Sequence, residues 1–255
     1  MSTESSSFPA ATITITTTAT NTTSNSFAIT TTTNTTSSSF TITTATNTTS
    51  SVSLESSCTP TPILPNPTSL FPSGGDDLYT SVTLPFPIGV FGSFDRTVYV
   101  SINGRVSLNY QNSNYGNPEL PDASLPPISV LAYYDDLVID PGTDQRVAYQ
   151  VFGSASANRT VIFEWLAPPL IHPDYFCHFT ATFEEALPGI VTFRYYTTTD
   201  KGSSATIGAQ NLERNQSFVQ YSFNSPGAVP DKSFVRLDTT GAGTFTTGSF
   251  NTSQC

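Results

Sequence analysis

The chain has 255 residues and a formal net charge of −10, from 19 acidic and 9 basic side chains. A surface of that sign repels phosphate backbones and anionic headgroups, so nucleic-acid and anionic-membrane partners have no electrostatic support. No apolar run reaches the roughly 20 residues of a spanning helix, and no transmembrane segment is expected.

Residues 1–57 contain 35 Ser or Thr, no Lys or Arg, and only Glu4 and Glu55 as charges. Such a stretch lacks the apolar surface needed to offset the entropy of folding, and it is expected to be disordered. It is also repetitive. SFAITTTTNTTSS at 26–38 recurs as SFTITTATNTTSS at 39–51, and a degenerate earlier copy ends in TATNTTSN, so Asn21, Asn34 and Asn47 recur every 13 residues. Each opens an Asn-Thr-Thr acceptor for N-glycosylation, and the segment reads as a glycosylated, mucin-like stalk. Further sequons start at Asn158, Asn215 and Asn251. The opening MSTESSSFPAAT has neither the basic nor the apolar part of a secretory signal, which argues against ordinary secretion where the rest of the chain argues for it, and a leader missing from this sequence is the expectation.

From Cys58 to Cys255 one all-β domain is expected. In RTVYVSI, Val98, Val100 and Ile102 alternate with Thr97, Tyr99 and Ser101, the period of a strand with one buried face. Asn103-Gly104 then predicts a type I′ hairpin turn, and RVSLNY returns with Val106, Leu108 and Tyr110 on one face. Further along, VAYQV and TVIFEWL supply two strands. HFTATFEE and VTFRYYT form a second hairpin around Leu187-Pro188-Gly189, and SATIGAQ, FVQYSF and SFVRL complete the set. Many short strands between Pro- and Gly-rich turns predict an antiparallel β-sandwich preceded by the disordered segment.

SVLAYYDDLVID, residues 129–140, carries the most chemistry per residue. If the strand runs through Tyr133, Tyr134, Asp135 and Asp136, the two carboxylates face opposite sides and cannot share a ligand. If a turn begins at Asp135 they come together, and Asp140 and Asp144 complete an oxygen cage of the kind Ca²⁺ takes. The plainer reading gives one aspartate to backbone N–H groups in a turn and the other to solvent. Glu164 and Glu184-Glu185 also lie on strands, and glycoside hydrolysis needs two acids about 5–10 Å apart. The DTTG at 238–241 is not the DTG of aspartic peptidases. His172 and His178 read as loop or surface residues, without metal-ligand spacing. Three cysteines, Cys58, Cys177 and Cys255, predict one disulfide and one thiol. Cys58–Cys177 would staple the stalk exit to the sheet and is preferred over Cys58–Cys255.

Taken in order, FPIGVFGSFDRTVYVSINGRVSLN, ISVLAYYDDL, RTVIFEWL, GIVTFRYY and SATIGAQN resemble the nidogen-like extracellular (NIDO) domain and its looser relatives in secreted microbial proteins, over roughly residues 78–225. That family more often has Phe-Trp where this chain has Tyr133-Tyr134. The resemblance implies an extracellular module of matrix, surface or adhesion proteins without catalytic activity; a matrix or cell-surface protein or glycan is the expected partner, and no cofactor is expected beyond the Ca²⁺ weighed for the aspartates. A secreted hydrolase of polysaccharide or protein is the alternative, marked by a cleft with two convergent acids. A Ca²⁺-assisted lectin is the other alternative, set apart by the acidic loop.

Overall fold

The computed structural model describes residues 61–155 and 158–252, together with the backbone of two short strands nearer the amino terminus. Two compact units result, residues 1–54 and 55–255. In the first, β1 (Thr18–Asn21) and β2 (Phe27–Thr30) pair antiparallel. The second continues with β3 (Thr68–Ser69), β4 (Gly75–Asp76), β5 (Tyr79–Val90), β6 (Ser93–Ser101), β7 (Arg105–Leu108), β8 (Ile128–Tyr134) and β9 (Val138–Ile139). It ends with β10 (Arg146–Phe152), β11 (Thr160–Ala167), β12 (Cys177–Glu184), β13 (Ile190–Thr198), β14 (Thr206–Asn211), β15 (Ser217–Phe223), β16 (Ser233–Asp238) and β17 (Thr244–Ser249). No helix occurs among the described residues.

Two antiparallel sheets carry the second unit. One is seven-stranded, in the order β17-β16-β13-β12-β11-β10-β3, and the other six-stranded, in the order β15-β14-β8-β7-β6-β5. Alternation puts Val98, Val100 and Ile102 of one sheet against Val161, Phe163, Trp165, Phe179, Phe193 and Tyr195 of the other, all fully buried in one core. Each such side chain contributes about 1.5–3 kcal/mol by leaving water. Polar tips of two aromatics stitch the layers together. Trp165 Nε1 donates to the Ser101 carbonyl at 2.9 Å and Tyr195 Oη to the Ala132 carbonyl at 2.7 Å. The predicted strands all form, and the second hairpin turns at Leu187–Gly189 with Ile190 N–H donating to the Leu187 carbonyl.

The Asn103-Gly104 turn differs from its type I′ expectation. β6 ends at Ser101 and β7 starts at Arg105, which leaves a three-residue loop in which Gly104 alone has positive φ, at 75°. Asn103 is fully buried and uses its side chain as a brace: Nδ2 donates to Asp77 at 2.8 Å, and Oδ1 accepts the Leu137 N–H at 3.0 Å. A side chain at Gly104 would run into the Tyr133 carbonyl. Tyr110 also departs from expectation, because β7 stops at Leu108 and Asn109 turns to φ 65°, leaving Tyr110 exposed. The 12-residue β5 alternates too, burying Val82, Leu84, Phe86, Ile88 and Val90, with Pro85 and Pro87 among its outward residues, whereas the edge strand β17 has no buried face to announce it.

Beyond β7, residues 109–127 fold over the outer face of the six-stranded sheet, where Leu120 and Leu125 pack with Leu131 and Tyr134. All seven residues of β8 are therefore buried, three on one side and four on the other, which explains its almost unbroken apolar reading.

Candidate functional site

Tyr133 and Tyr134 end β8 and point to opposite layers. Tyr133 enters the main core, 5.3 Å from the Phe179 ring, and its hydroxyl donates to Asp200 and accepts the Gly202 N–H. Tyr134 enters the outer layer, where its hydroxyl donates to the Asn114 carbonyl and meets Arg105 Nη1 at 3.3 Å. Burial, partly offset by Arg105, pushes the Tyr134 phenol up to about 12. Both tyrosines are therefore structural.

The same alternation separates Asp135 from Asp136. Asp135, 7% exposed, turns toward the loop after β13, where Ser204 Oγ lies 2.6 Å from its Oδ2 and 2.8 Å from Asp200 Oδ2. A hydroxyl has one hydrogen to give. Asp200 also accepts from Tyr133, Ser203 and the Gly202 and Ser204 N–H groups; these outweigh its burial and hold it below the usual carboxylate range. Burial raises Asp135 instead, and the nearby Asp200 charge adds to that rise. Ser204 Oγ therefore donates to one of the two carboxylates at a time and bridges Asp135 to Asp200. Asp135 also accepts the Asp136 N–H at 2.9 Å, the turn role expected for one of the pair.

Asp136 faces the opposite way, toward Asp76 and Asp77, and ligand atoms of these three carboxylates lie within 4.8 Å of one another. Its Oδ1 is buried without a hydrogen-bond partner. Burial, then the charges of Asp77, Asp76 and Asp135, push Asp136 up to about 6. No ion pair reaches these carboxylates among the described residues. Exposed Leu78 follows Asp77, and exposed Leu170 and Ile171 adjoin Asp136, whose carbonyl accepts the Leu170 N–H at 2.7 Å. The result is an acidic rim edged with apolar side chains.

The four-aspartate Ca²⁺ set of the sequence is thus redistributed. Asp140 and Asp144 lie in the next turn, where Asp140 bonds Gln145, and they line a groove of about 360 Å³ with Phe71 and Arg146. The residues that join the pair instead are Asp76, Asp77, Asp200 and Ser204. They come from loops far apart in sequence, and no local motif announces them.

Glu164 sits on β11 on the outer face of the seven-stranded sheet. Fully buried, it meets Arg146 at 2.6 Å and His178 at 3.0 Å and accepts the Ile63 N–H at 2.7 Å. Burial alone would raise it, but these partners hold it below the usual range. His178 is fully buried here, which corrects its reading as a surface residue: alternation on β12 sends Cys177 into the core and His178 to the other face, where its ring stacks on Tyr196 at 4.6 Å. His172 is exposed, stacked on Tyr175 at 4.6 Å. Glu185 pairs with Arg159 at 2.5 Å, and Glu184 is exposed.

Cys177 is a free, buried thiol, and Cys58 and Cys255 lie outside the described residues, so neither expected pairing is described. Asn158, Asn215 and Asn251 are exposed; Asn21 ends β1, and Asn34 and Asn47 lie outside the described residues.

The described residues thus form an all-β sandwich with a buried tyrosine pair and an acidic rim. The NIDO-related family model matches residues 52–250, and the chain belongs to that family. No curated protein and no solved structure matches it.

Proposed function

We propose that the chain is a non-catalytic extracellular binding module, carried on a glycosylated Ser/Thr-rich stalk, that contacts a matrix or cell-surface partner through the rim around Asp136. The observation that carries this reading is the juxtaposition of Asp76, Asp77 and Asp136, free of ion pairs, with exposed Leu78, Leu170 and Ile171. Desolvating these carboxylates is favourable only against a partner that supplies positive charge, and the leucines and isoleucine add apolar area around them. A protein surface presenting Lys or Arg beside apolar side chains fits; a sulfated or sialylated glycan is repelled.

Support against the hydrolase alternative comes from how the other acids are engaged. Glu164 is ionised and clamped by three partners, Glu185 is paired with Arg159, and Asp135 is enclosed by Ser204 and Asp200. A general acid or base needs a proton it can exchange with substrate, and these are bound internally.

The test is a binding array of matrix proteins and glycans, run with and without chelator at low and high salt. Binding to basic proteins that weakens with salt and survives chelation is expected. Binding confined to glycans and abolished by chelator would replace this reading with the cation-assisted lectin.

A further inference from the structure

The turns of the two sheets interlock at each end of the sandwich, and the two ends differ in chemistry. At one end lie Asp76, Asp77, Asp135, Asp136 and Asp200. At the other, hydrogen bonds run from turn to turn: Glu185 N–H to the Arg159 carbonyl at 2.8 Å, Thr239 N–H to the Gly189 carbonyl at 2.8 Å, and Phe91 N–H to Thr239 Oγ1 at 3.1 Å. Asn211 Nδ2 donates to the Val90 carbonyl at 3.2 Å and to Ser93 Oγ at 2.9 Å. This chain of contacts brings the β10–β11 turn, which holds Asn158, to the same end as the β14–β15 turn, which holds Asn215. The six residues of β14 separate that end from the aspartates, about 20 Å of strand.

Most asparagines of the domain are engaged. Asn103, Asn112, Asn114, Asn117 and Asn211 hold turns and loops with their side chains. Asn158 and Asn215, by contrast, stand exposed in the turns of this end, each followed two residues later by Thr160 or Ser217, while the third sequon of the domain, Asn251, follows β17 at the aspartate end, where Ser249 pairs with Ser233 and Phe250 N–H donates to the Lys232 carbonyl. Asn215 also lines a groove of about 420 Å³ with Gly92, Arg214 and Thr240, between turns of both sheets.

We propose that Asn158 and Asn215 carry N-linked oligosaccharides that cap this end of the sandwich, opposite the aspartates. The inference rests on the extracellular reading, since the donor, an oligosaccharide on a lipid diphosphate, is met only on the secretory route. In the transfer the Asn Nδ2 forms a bond to the sugar C1, the C1–O bond to the diphosphate breaks, and the lipid diphosphate leaves with the electron pair. One amide proton is lost. Because both acceptors are exposed, the sugars project from the end and replace no packed side chain.

The test uses the full chain secreted from a eukaryotic host, with glycopeptide mass spectrometry and native trypsin digestion before and after enzymatic deglycosylation. Arg214 is exposed and directly precedes Asn215, so its cleavage reports the cap. Both sequons of this end should be occupied, and the cut after Arg214 should be absent until the sugars are removed. Ser217→Ala should expose that cut, while Ser217→Thr, which keeps the acceptor, should not. Occupied stalk sites with bare Asn158 and Asn215 would overturn this proposal and leave the extracellular reading standing. Bare asparagines throughout would overturn both. Occupied sites with an unprotected Arg214 would overturn the cap alone.

Discussion

Asn103 shows how much one side chain can carry in a turn that looked from sequence like a simple hairpin. Its amide joins the β6–β7 loop to Asp77 and to the backbone of Leu137, so it sets the distance between two loops of the acidic rim. Asn103→Ala is expected to cost about 1–3 kcal/mol in urea unfolding, because the Leu137 N–H is left buried without an acceptor. Asp136 is the opposite case, a residue whose native environment opposes its charge. Its folded pKa of about 6 lies above the unfolded value, so its contribution to stability is complete below about pH 4 and is lost as pH rises through 6. Asp136→Asn should therefore raise the melting temperature at pH 7.5 and leave it nearly unchanged at pH 4.5. A lower melting temperature at pH 7.5 would show that the carboxylate is stabilising as an anion.

At the scale of elements, β8 and β11 organise the molecule. Tyr133→Ala on β8 empties a fully buried ring site and is expected to cost about 3–5 kcal/mol. Tyr133→Phe keeps the packing but withdraws the hydroxyl from Asp200 and the Gly202 N–H, a smaller loss of about 1–3 kcal/mol. On β11, Glu164 holds residues 61–66 against the sheet through the Ile63 N–H. Glu164→Gln leaves Arg146 without its anion, with a cost of up to about 3–5 kcal/mol. Hydrogen exchange at Ile63 should accelerate before that of the β11 and β12 amides. These strands were readable in sequence because one buried face imposes a period of two, as Val161, Phe163 and Trp165 show. The partners of their outward residues were not. Nothing near Glu164 in the chain names Ile63, Arg146 or His178, and nothing near Asp135 names Ser204 and Asp200. Such partners are fixed by sheet order, which local alternation does not encode.

For the whole molecule, two sets of carboxylates respond to pH in opposite directions. Asp135 and Asp136 have raised pKa values, so their contributions fade as pH rises, Asp136 through about 6. Glu164 and Asp200 have lowered values, so their contributions are present above the ordinary carboxylate range and fade as pH falls through their folded values. Stability should peak on the mildly acidic side of neutrality, and a melting-temperature profile from pH 3 to pH 8 should be a dome with its upper limb near 6. The rim that produces that upper limb is also the surface assigned to binding. The decisive measurement compares the wild type with an Asp76→Asn/Asp136→Asn double variant for binding to a basic matrix protein selected on the array, with hydrolysis of the same protein followed in parallel. A folded double variant that has lost binding, with no cleavage by either protein, is the expected result. Undiminished binding by the double variant, or cleavage by the wild type that Asp135→Asn or Glu164→Gln abolishes without unfolding the domain, would contradict the assignment of the rim as the contact surface of a non-catalytic module.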